Sequence, residues 1–238
     1  MSIGYSIVIP TLNEEKNIQP LIDQISTTLK QILINYEIIF VDDMSSDKTV
    51  EIINKNKQFN KRIRVLVRKE NFDLSLSVIE GIKISNFNNI IVMDADLQHP
   101  PSTLIKMISY KKKYHLVIAS RFKRDKFKFK SQNRNFQTRV GIFLSNLFIK
   151  KITDPLSGFF IVDKNLIIDR PKYFINKGYK ILLNILLVYD NLFIKEIDFN
   201  FEERRFGNTK LNLRVKWYFI ILLIKSIFFK RIDVDKKT

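Results

Sequence analysis

The chain alternates short, branched apolar runs with longer stretches in which apolar side chains recur every three or four positions. Residues 5–10 form one such run and end in the polar turn Thr11, Leu12, Asn13, Glu14, Glu15. Over residues 17–33, Ile18, Leu21, Ile22, Ile25 and Leu29 keep helical spacing. The same alternation continues with strands predicted at 36–41, 62–67, 89–93, 115–120 and 194–201. Helices are predicted at 50–56, 74–84, 101–111 and near 181–192. Strand followed by helix, repeated, implies right-handed crossovers and an α/β fold with a doubly wound, mostly parallel sheet. Residues 122–139 read as a basic loop with interleaved Phe, and 141–149 as an apolar helix lying on the sheet or on a bilayer. Residues 217–229 form a last apolar block of 13 residues, interrupted by Lys225.

Two of the apolar runs stop abruptly in acids. Asp42 and Asp43 follow the second strand, and Asp94, Ala95, Asp96 follow the fourth. Ligands of open α/β sheets bind beyond the carboxyl ends of the strands, so these acids face the expected crevice. In extended backbone, residues i and i+2 point the same way, so Asp94 and Asp96 can address one ligand. Paired hard oxygen donors suit Mg²⁺ or Mn²⁺ bridging a diphosphate. A solvated acidic turn after a core strand is the plainer alternative for this tripeptide on its own.

Composition adds three constraints. With 238 residues and 45% hydrophobic content, one large domain with appendages is expected. Cysteine is absent, which removes disulfides and thiolate metal sites and suits a reducing compartment; no basic, apolar leader opens the chain, so a non-secreted protein is expected. The net charge of +17 calls for an anionic partner, whether nucleic acid, membrane surface or phosphorylated substrate. A 13-residue helix at 217–229 would span about 20 Å, short of the roughly 30 Å hydrocarbon core. With Arg214 and Lys216 before it and Lys230 and Arg231 after it, an interfacial helix is favoured over a spanning one, the alternative being an ordinary packed helix. Residues 1–213 are therefore expected to form the main domain and 214–238 a basic-flanked, membrane-interfacial tail.

The motifs narrow the class. Pro10–Glu14, the segment 35–49 with its Val41-Asp42-Asp43 core, and the run Met93, Asp94, Ala95, Asp96, Leu97, Gln98, His99, Pro100, Pro101 resemble the inverting family 2 glycosyltransferases. Within that family they are most similar to the polyprenyl- or dolichyl-phosphate mannosyltransferases. Ser120-Arg121, Asp154 with Ser157-Gly158-Phe159, residues 178–183, and Arg204, Gly207, Thr209, Lys210 extend the match in order from residue 5 to about 215. The resemblance implies a GT-A type fold and metal-dependent, inverting transfer of one sugar from a nucleoside-diphosphate sugar to a polyprenyl phosphate. It implies that Pro10, Leu12, Glu14, Val41 and Asp43 line the nucleoside pocket. Asp94, Ala95 and Asp96 face the diphosphate, Asp96 and Gln98 hold Mg²⁺ or Mn²⁺, and Arg121, Arg204 and Lys210 neutralise phosphate charge. Asp94, Asp96, Arg204 and Lys210 are the expected catalytic set. Arg134 and Thr138 match a spacing attributed to the lipid phosphate, and Asp154 opens a motif on the acceptor side, where capping the Ser157-Gly158 turn is the alternative.

The pattern departs from the family at Leu12, where an aromatic residue is usual, at Asn184, where an acid is usual, and at Thr209, which stands for Ser. Such a transferase would work at the cytoplasmic face of an anionic membrane as a peripheral protein. A phosphate acceptor is already largely dianionic near neutral pH, so no general base is required; His99, beside Pro100 and Pro101, is read as shaping the loop or supporting the acidic motif from behind rather than as a base. The Glu-Asp pair and Gln-x-x-Arg-Trp run of processive synthases are absent, which favours single transfer. Two rivals remain: a family 2 enzyme using a sugar hydroxyl in surface-polysaccharide assembly, and a basic nucleic-acid-binding protein. Strand-end acids and the lack of a recognition motif argue against nucleic acid. Oligomeric state is not specified by these features.

Overall fold

The computed structural model describes residues 4–70, 72–122, 132–169, 181–202, 213–227 and 231–234. Seven strands form the main sheet: β1 (Gly4–Thr11), β2 (Asn35–Asp42), β3 (Ile63–Val67), β4 (Asn89–Val92), β5 (Leu116–Ser120), β6 (Phe160–Asp163) and β8 (Ile194–Asp198). Their order is β3-β2-β1-β4-β6-β5-β8. All neighbours run parallel except β6, which is antiparallel to both β4 and β5. β7 (Tyr189–Asp190) and β9 (Ile232–Asp233) make a separate two-stranded parallel pair. The mostly parallel, helix-flanked architecture is the one the alternation predicts.

Both faces of the sheet are buried, because successive strand residues feed different layers. Ile7, Ile9, Ile38, Phe40, Ile91 and Met93 join the core beneath α1 (Glu15–Lys30), α2 (Thr49–Phe59) and α4 (Thr103–Lys111). Val8, Ile39, Val41, Ile90 and Val92 join the other, beneath α3 (Leu74–Lys83) and α7 (Ile181–Val188). Each fully buried Ile or Leu contributes about 1.5–3 kcal/mol against conformational entropy. Gly81 lets α3 settle on the sheet: a Cβ there would stand 2.5 Å from Val8 Cγ1 and 2.8 Å from Val41 Cγ2. Every side chain of α7 is buried, including Asn184.

Four elements differ from expectation. The basic segment 122–139 is not all loop, because α5 spans Gln132–Asn146; its many cations hide a helical repeat of Phe136, Val140, Phe143 and Leu147. β6 falls in a segment for which no strand was predicted, its four residues being too few to display a period. The helix near 181–192 ends at Val188, where β7 begins. At the carboxyl end, α8 covers Leu213–Ser226, starting before the predicted block. It is partly packed: Leu222 and Leu223 enter the core while Trp217, Ile220, Ile224 and Ile227 are exposed.

The chain leaves β1 toward β2 and β3, then returns to place β4 on the other side of β1. The strand order therefore reverses between β1 and β4, and in open α/β sheets the ligand crevice lies outside the carboxyl ends of such strands.

Candidate active site

Around that crevice, the turns after β1, β2 and β4 each contain a non-glycine residue in left-handed backbone: Asn13 (φ 53°), Met44 (φ 57°) and Leu97 (φ 62°). Such residues cost free energy and persist where surrounding bonds over-determine them. The first two turns are stitched together. Asn13 N–H donates to Ser45 Oγ at 2.8 Å, Ser46 N–H donates to Asn13 Oδ1 at 2.8 Å, and Glu14 N–H donates to Thr49 Oγ1 at 2.8 Å. Asp47 accepts from Glu15 N–H at 3.1 Å and from the Thr49 hydroxyl at 2.5 Å. Burial alone would raise its pKa, but the Thr49 and Glu15 hydrogen bonds hold it below the ordinary value.

The adjacent acids Asp42 and Asp43 have separate jobs. Asp42 is fully buried and accepts from Thr11 Oγ1, Ser45 N–H and Ser45 Oγ, so it holds the two tips together. Asp43 is partly exposed, and its Oδ1 accepts from Arg68 Nη1 and Ser77 Oγ, both at 2.8 Å. Burial raises its pKa, partly offset by Ser77 and Arg68. Arg68 and Ser77 were missed in the sequence, although Arg68 follows β3 as Asp43 follows β2, so the strand-tip rule applied to the third strand finds it. Pro10 and Val41 are buried and shape the floor of this region, while Leu12 and Glu14 lie half-buried at its edge. The Glu14 carboxylate accepts from Asn17 Nδ2 at 2.7 Å.

The turn after β4 carries the other acids. The Asp94 side chain is 42% exposed, whereas Asp96 is 3% exposed, and its Oδ1 accepts from Gln98 N–H at 3.1 Å. Ala95 between them is buried. Gln98 donates from Nε2 to Glu202 O at 3.0 Å, which turns its carboxamide nitrogen to the protein and leaves the oxygen as the donor for a cation. Two carboxylates and an amide oxygen within one tight turn suit Mg²⁺ or Mn²⁺, whose remaining positions water and phosphate oxygens would fill. Among the described residues, no cluster of three or more His, Cys, Asp or Glu could by itself hold a metal ion.

Arg121 and Asp154, read separately in the sequence, form one unit. The guanidinium donates to Asp154 Oδ2 at 2.7 Å and Oδ1 at 2.8 Å, and the Arg121 N–H donates to Oδ2 at 3.2 Å. Burial alone would lower the Arg121 pKa, but Asp154, and more weakly Asp94, raise it. Asp154 is fully buried, so its carboxylate orients Arg121. Its backbone carbonyl accepts from Ser157 N–H at 3.2 Å in the turn before Gly158. Arg134 and Thr138 both fall within α5, four positions apart in the sequence, and Thr138 is half-buried. Arg204, Gly207, Thr209 and Lys210 lie outside the described residues, as do residues 178–180. The strand that precedes Arg204 does reach the site: β8 ends at Asp198, and Glu202 meets Gln98.

Comparison with known proteins agrees with this geometry. Residues 6–173 match the glycosyl transferase family 2 model. A dolichol-phosphate mannosyltransferase from Pyrococcus furiosus is 34% identical over 87% of this chain and 58% of its own length. The Saccharomyces cerevisiae protein of that name is 30% identical over 97% of this chain and 89% of its own length. The chain thus spans little more than half of the archaeal relative and most of the yeast one. Among solved structures, glucosyl-3-phosphoglycerate synthase from Mycobacterium tuberculosis with Mn²⁺, UDP-glucose and phosphoglyceric acid is similar in fold. It has a TM-score of 0.69, 16% identity, and coverage of 96% of this chain and 81% of that one. With a GT-A type sheet, strand-tip acids at its switch point and the family match across most of its length, this chain belongs to glycosyl transferase family 2 and is a glycosyltransferase.

Proposed function

We propose that this enzyme transfers one sugar from a nucleoside-diphosphate sugar to a polyprenyl phosphate, with inversion and with a divalent cation. The observation that supports the reading is that the turns after the neighbouring strands β2, β1 and β4 each hold a left-handed residue and bring Asp43, Asp94 and Asp96 to one edge of the sheet. The relatives named dolichol-phosphate mannosyltransferase support the acceptor class.

The acceptor oxygen attacks the anomeric carbon from the side opposite the diphosphate. The carbon–oxygen bond to the diphosphate breaks, and its electron pair leaves with the nucleoside diphosphate. Asp43, held by Arg68 and Ser77, accepts from N–H or O–H groups of the nucleoside. Asp94, Asp96 and the Gln98 oxygen would hold Mg²⁺ or Mn²⁺. A bound cation there supplies Lewis-acid neutralisation of charge on the leaving diphosphate. Arg121 balances Asp154, so the remaining phosphate-neutralising charge falls to Arg204 and Lys210. Arg134 and Thr138 on α5 are assigned to the acceptor phosphate, and Asp154 acts there only through Arg121.

The same reading puts the protein at an anionic membrane surface. Phe136 and Phe143 of α5 and Leu147 just after it are exposed, as are Ile220 and Ile224 of α8 and Ile227 just after it, and Trp217 is 67% exposed. The helices are neighbours: a Cβ at Gly141 of α5 would lie 4.0 Å from Phe219 Cζ of α8. Apolar side chains on two adjacent helices, on a chain of net charge +17, suit shallow insertion among anionic headgroups. Among the described residues no helix is long and apolar enough to cross a membrane.

The test is direct. Purified enzyme is incubated with labelled GDP-mannose or UDP-glucose, Mn²⁺ or Mg²⁺, and either polyprenyl phosphate or oligosaccharide acceptors. Labelled lipid formed only with polyprenyl phosphate and a divalent cation is expected. Label transferred to a sugar hydroxyl instead would overturn the acceptor assignment. Exchanging Trp217 and Ile224 for Ser should lower sedimentation with anionic vesicles about ten-fold; unchanged sedimentation would refute the interfacial role.

A further inference from the structure

His99 has no role in the chemistry above, yet it lies buried, 2% exposed, beneath the acidic turn. Its Nδ1 accepts the backbone N–H of Asp94 at 3.0 Å. That bond requires Nδ1 to act as the acceptor, which leaves Nε2 as the ring's N–H. The same Nδ1 lies 3.8 Å from Asp94 Oδ2, too far for a hydrogen bond, so the backbone contact is the one that orients the ring.

Three aromatic rings hold the imidazole. Phe159 stacks on it with centroids 5.0 Å apart and planes 21° from parallel. Phe199 and Phe201 each meet it edge-on at 5.9 Å. Beside Phe159, Gly158 completes the floor. A Cβ at that position would stand 3.1 and 3.2 Å from the Asp94 carboxylate oxygens and 3.4 Å from His99 Cε1. Asp94 therefore rests on a surface made by His99 and Gly158.

The residue before His99 reaches the same strand extension. Gln98 Nε2 donates to Glu202 O at 3.0 Å, and Glu202 N–H donates back to Gln98 O at 3.2 Å. The acidic turn is thus fastened to residues 199–202 twice, through the His99 ring against Phe199 and Phe201 and through the Gln98–Glu202 pair. Arg204 follows Glu202 by two positions in the sequence.

We propose that His99 is a positioning residue which aims Asp94 at the cation–diphosphate and ties that turn to the segment leading into Arg204. It acts through the Asp94 N–H and the aromatic seat, with no proton transfer. The proposal rests on the cation–diphosphate reading of Asp94 and Asp96.

Two substitutions separate aim from packing. His99→Phe keeps a ring to stack on Phe159 but removes the acceptor. His99→Asn loses the ring but offers Oδ1 near the place of Nδ1. Binding of Mn²⁺ is measured by electron paramagnetic resonance of the free ion, with GDP or UDP present, alongside thermal unfolding and the separate kcat and KM values. Removing partners that orient metal ligands typically weakens the metal about 10- to 100-fold. His99→Phe is expected to unfold near the wild-type temperature and to bind Mn²⁺–nucleotide at least about ten-fold more weakly, with His99→Asn recovering most of that loss. Gly158→Ala, which presses a methyl on the Asp94 carboxylate while leaving the imidazole in place, should weaken Mn²⁺–nucleotide similarly and decides the matter if His99→Phe does not fold. Unchanged Mn²⁺ affinity in His99→Phe, or in Gly158→Ala where His99→Phe fails to fold, overturns the proposal. So does equal loss in the Phe and Asn variants. A wild-type protein that binds neither Mn²⁺ nor nucleotide overturns the functional reading itself.

Discussion

At the amino-terminal edge of the sheet, Glu37 is buried and accepts from Ser6 Oγ at 2.7 Å, Arg64 Nη1 at 2.8 Å, Asn86 N–H at 2.6 Å and Asn86 Nδ2 at 2.9 Å. On the same edge, Lys111 Nζ closes on Asp163 at 2.6 Å. At the carboxyl-terminal edge, the Asp94 side chain is 42% exposed above a glycine, and Asp43 accepts its internal bonds on Oδ1. All of these acids lie at or near strand ends, and sequence spacing gives no reason to rank them. The four donors that Glu37 receives and the exposure that Asp94 keeps separate them. A carboxylate with four donors has its lone pairs occupied and can only hold the fold. One left partly open can bind a substrate or cation. Asp42 and Asp43 make the point within two residues, the first fully buried with bonds from Thr11 and Ser45 and the second partly exposed with its bonds on Oδ1.

Substitution can break or sharpen this contrast. The largest effect is expected at Asp96→Ala, which should lower kcat/KM by at least about 100-fold, because charge stabilisation at a leaving group is worth several kcal/mol. Its thermal unfolding should stay close to wild type; near-wild-type turnover would mean that the acidic turn is structural after all. Asp163→Ala should do the reverse. With Lys111 buried and deprived of its carboxylate, stability should fall by about 3 kcal/mol in denaturant titrations, while the folded fraction keeps its specific activity.

Ser77→Ala tests an intermediate case. It removes one of the two donors on Asp43 Oδ1, which should raise the Asp43 pKa further and raise KM for the sugar nucleotide several-fold. The stability cost should be about 1 kcal/mol. The smallest effect belongs to Asp47. Its folded-state pKa lies below the ordinary value of 3.8, so its contribution to stability is present above that pH and is lost as pH falls through the depressed value. Asp47→Asn should therefore flatten the acid limb of the unfolding curve in that window and leave neutral-pH transfer intact. An unchanged acid limb would remove the stitched turns from the account.

The sequence by itself determined the α/β class, the strand ends that carry acids, and the family, because hydrophobic period and short motifs are local properties of the chain. Asp94, Asp96 and Gln98 were legible for that reason. The extent of α5 was obscured because a helix whose apolar side faces outward, set among cations, lacks the usual contrast between a buried and a solvated face. Arg68 and Ser77 were missed because their partner, Asp43, lies on a different strand, and only packing brings the three together. The pairing of Arg121 with Asp154, 33 residues apart, and of Gln98 with Glu202, 104 apart, was likewise decided by tertiary structure. Whether a carboxylate is saturated or open depends on donors delivered from distant segments. Motif spacing identifies the acid; the folded chain decides how many hydrogen bonds it has left to offer.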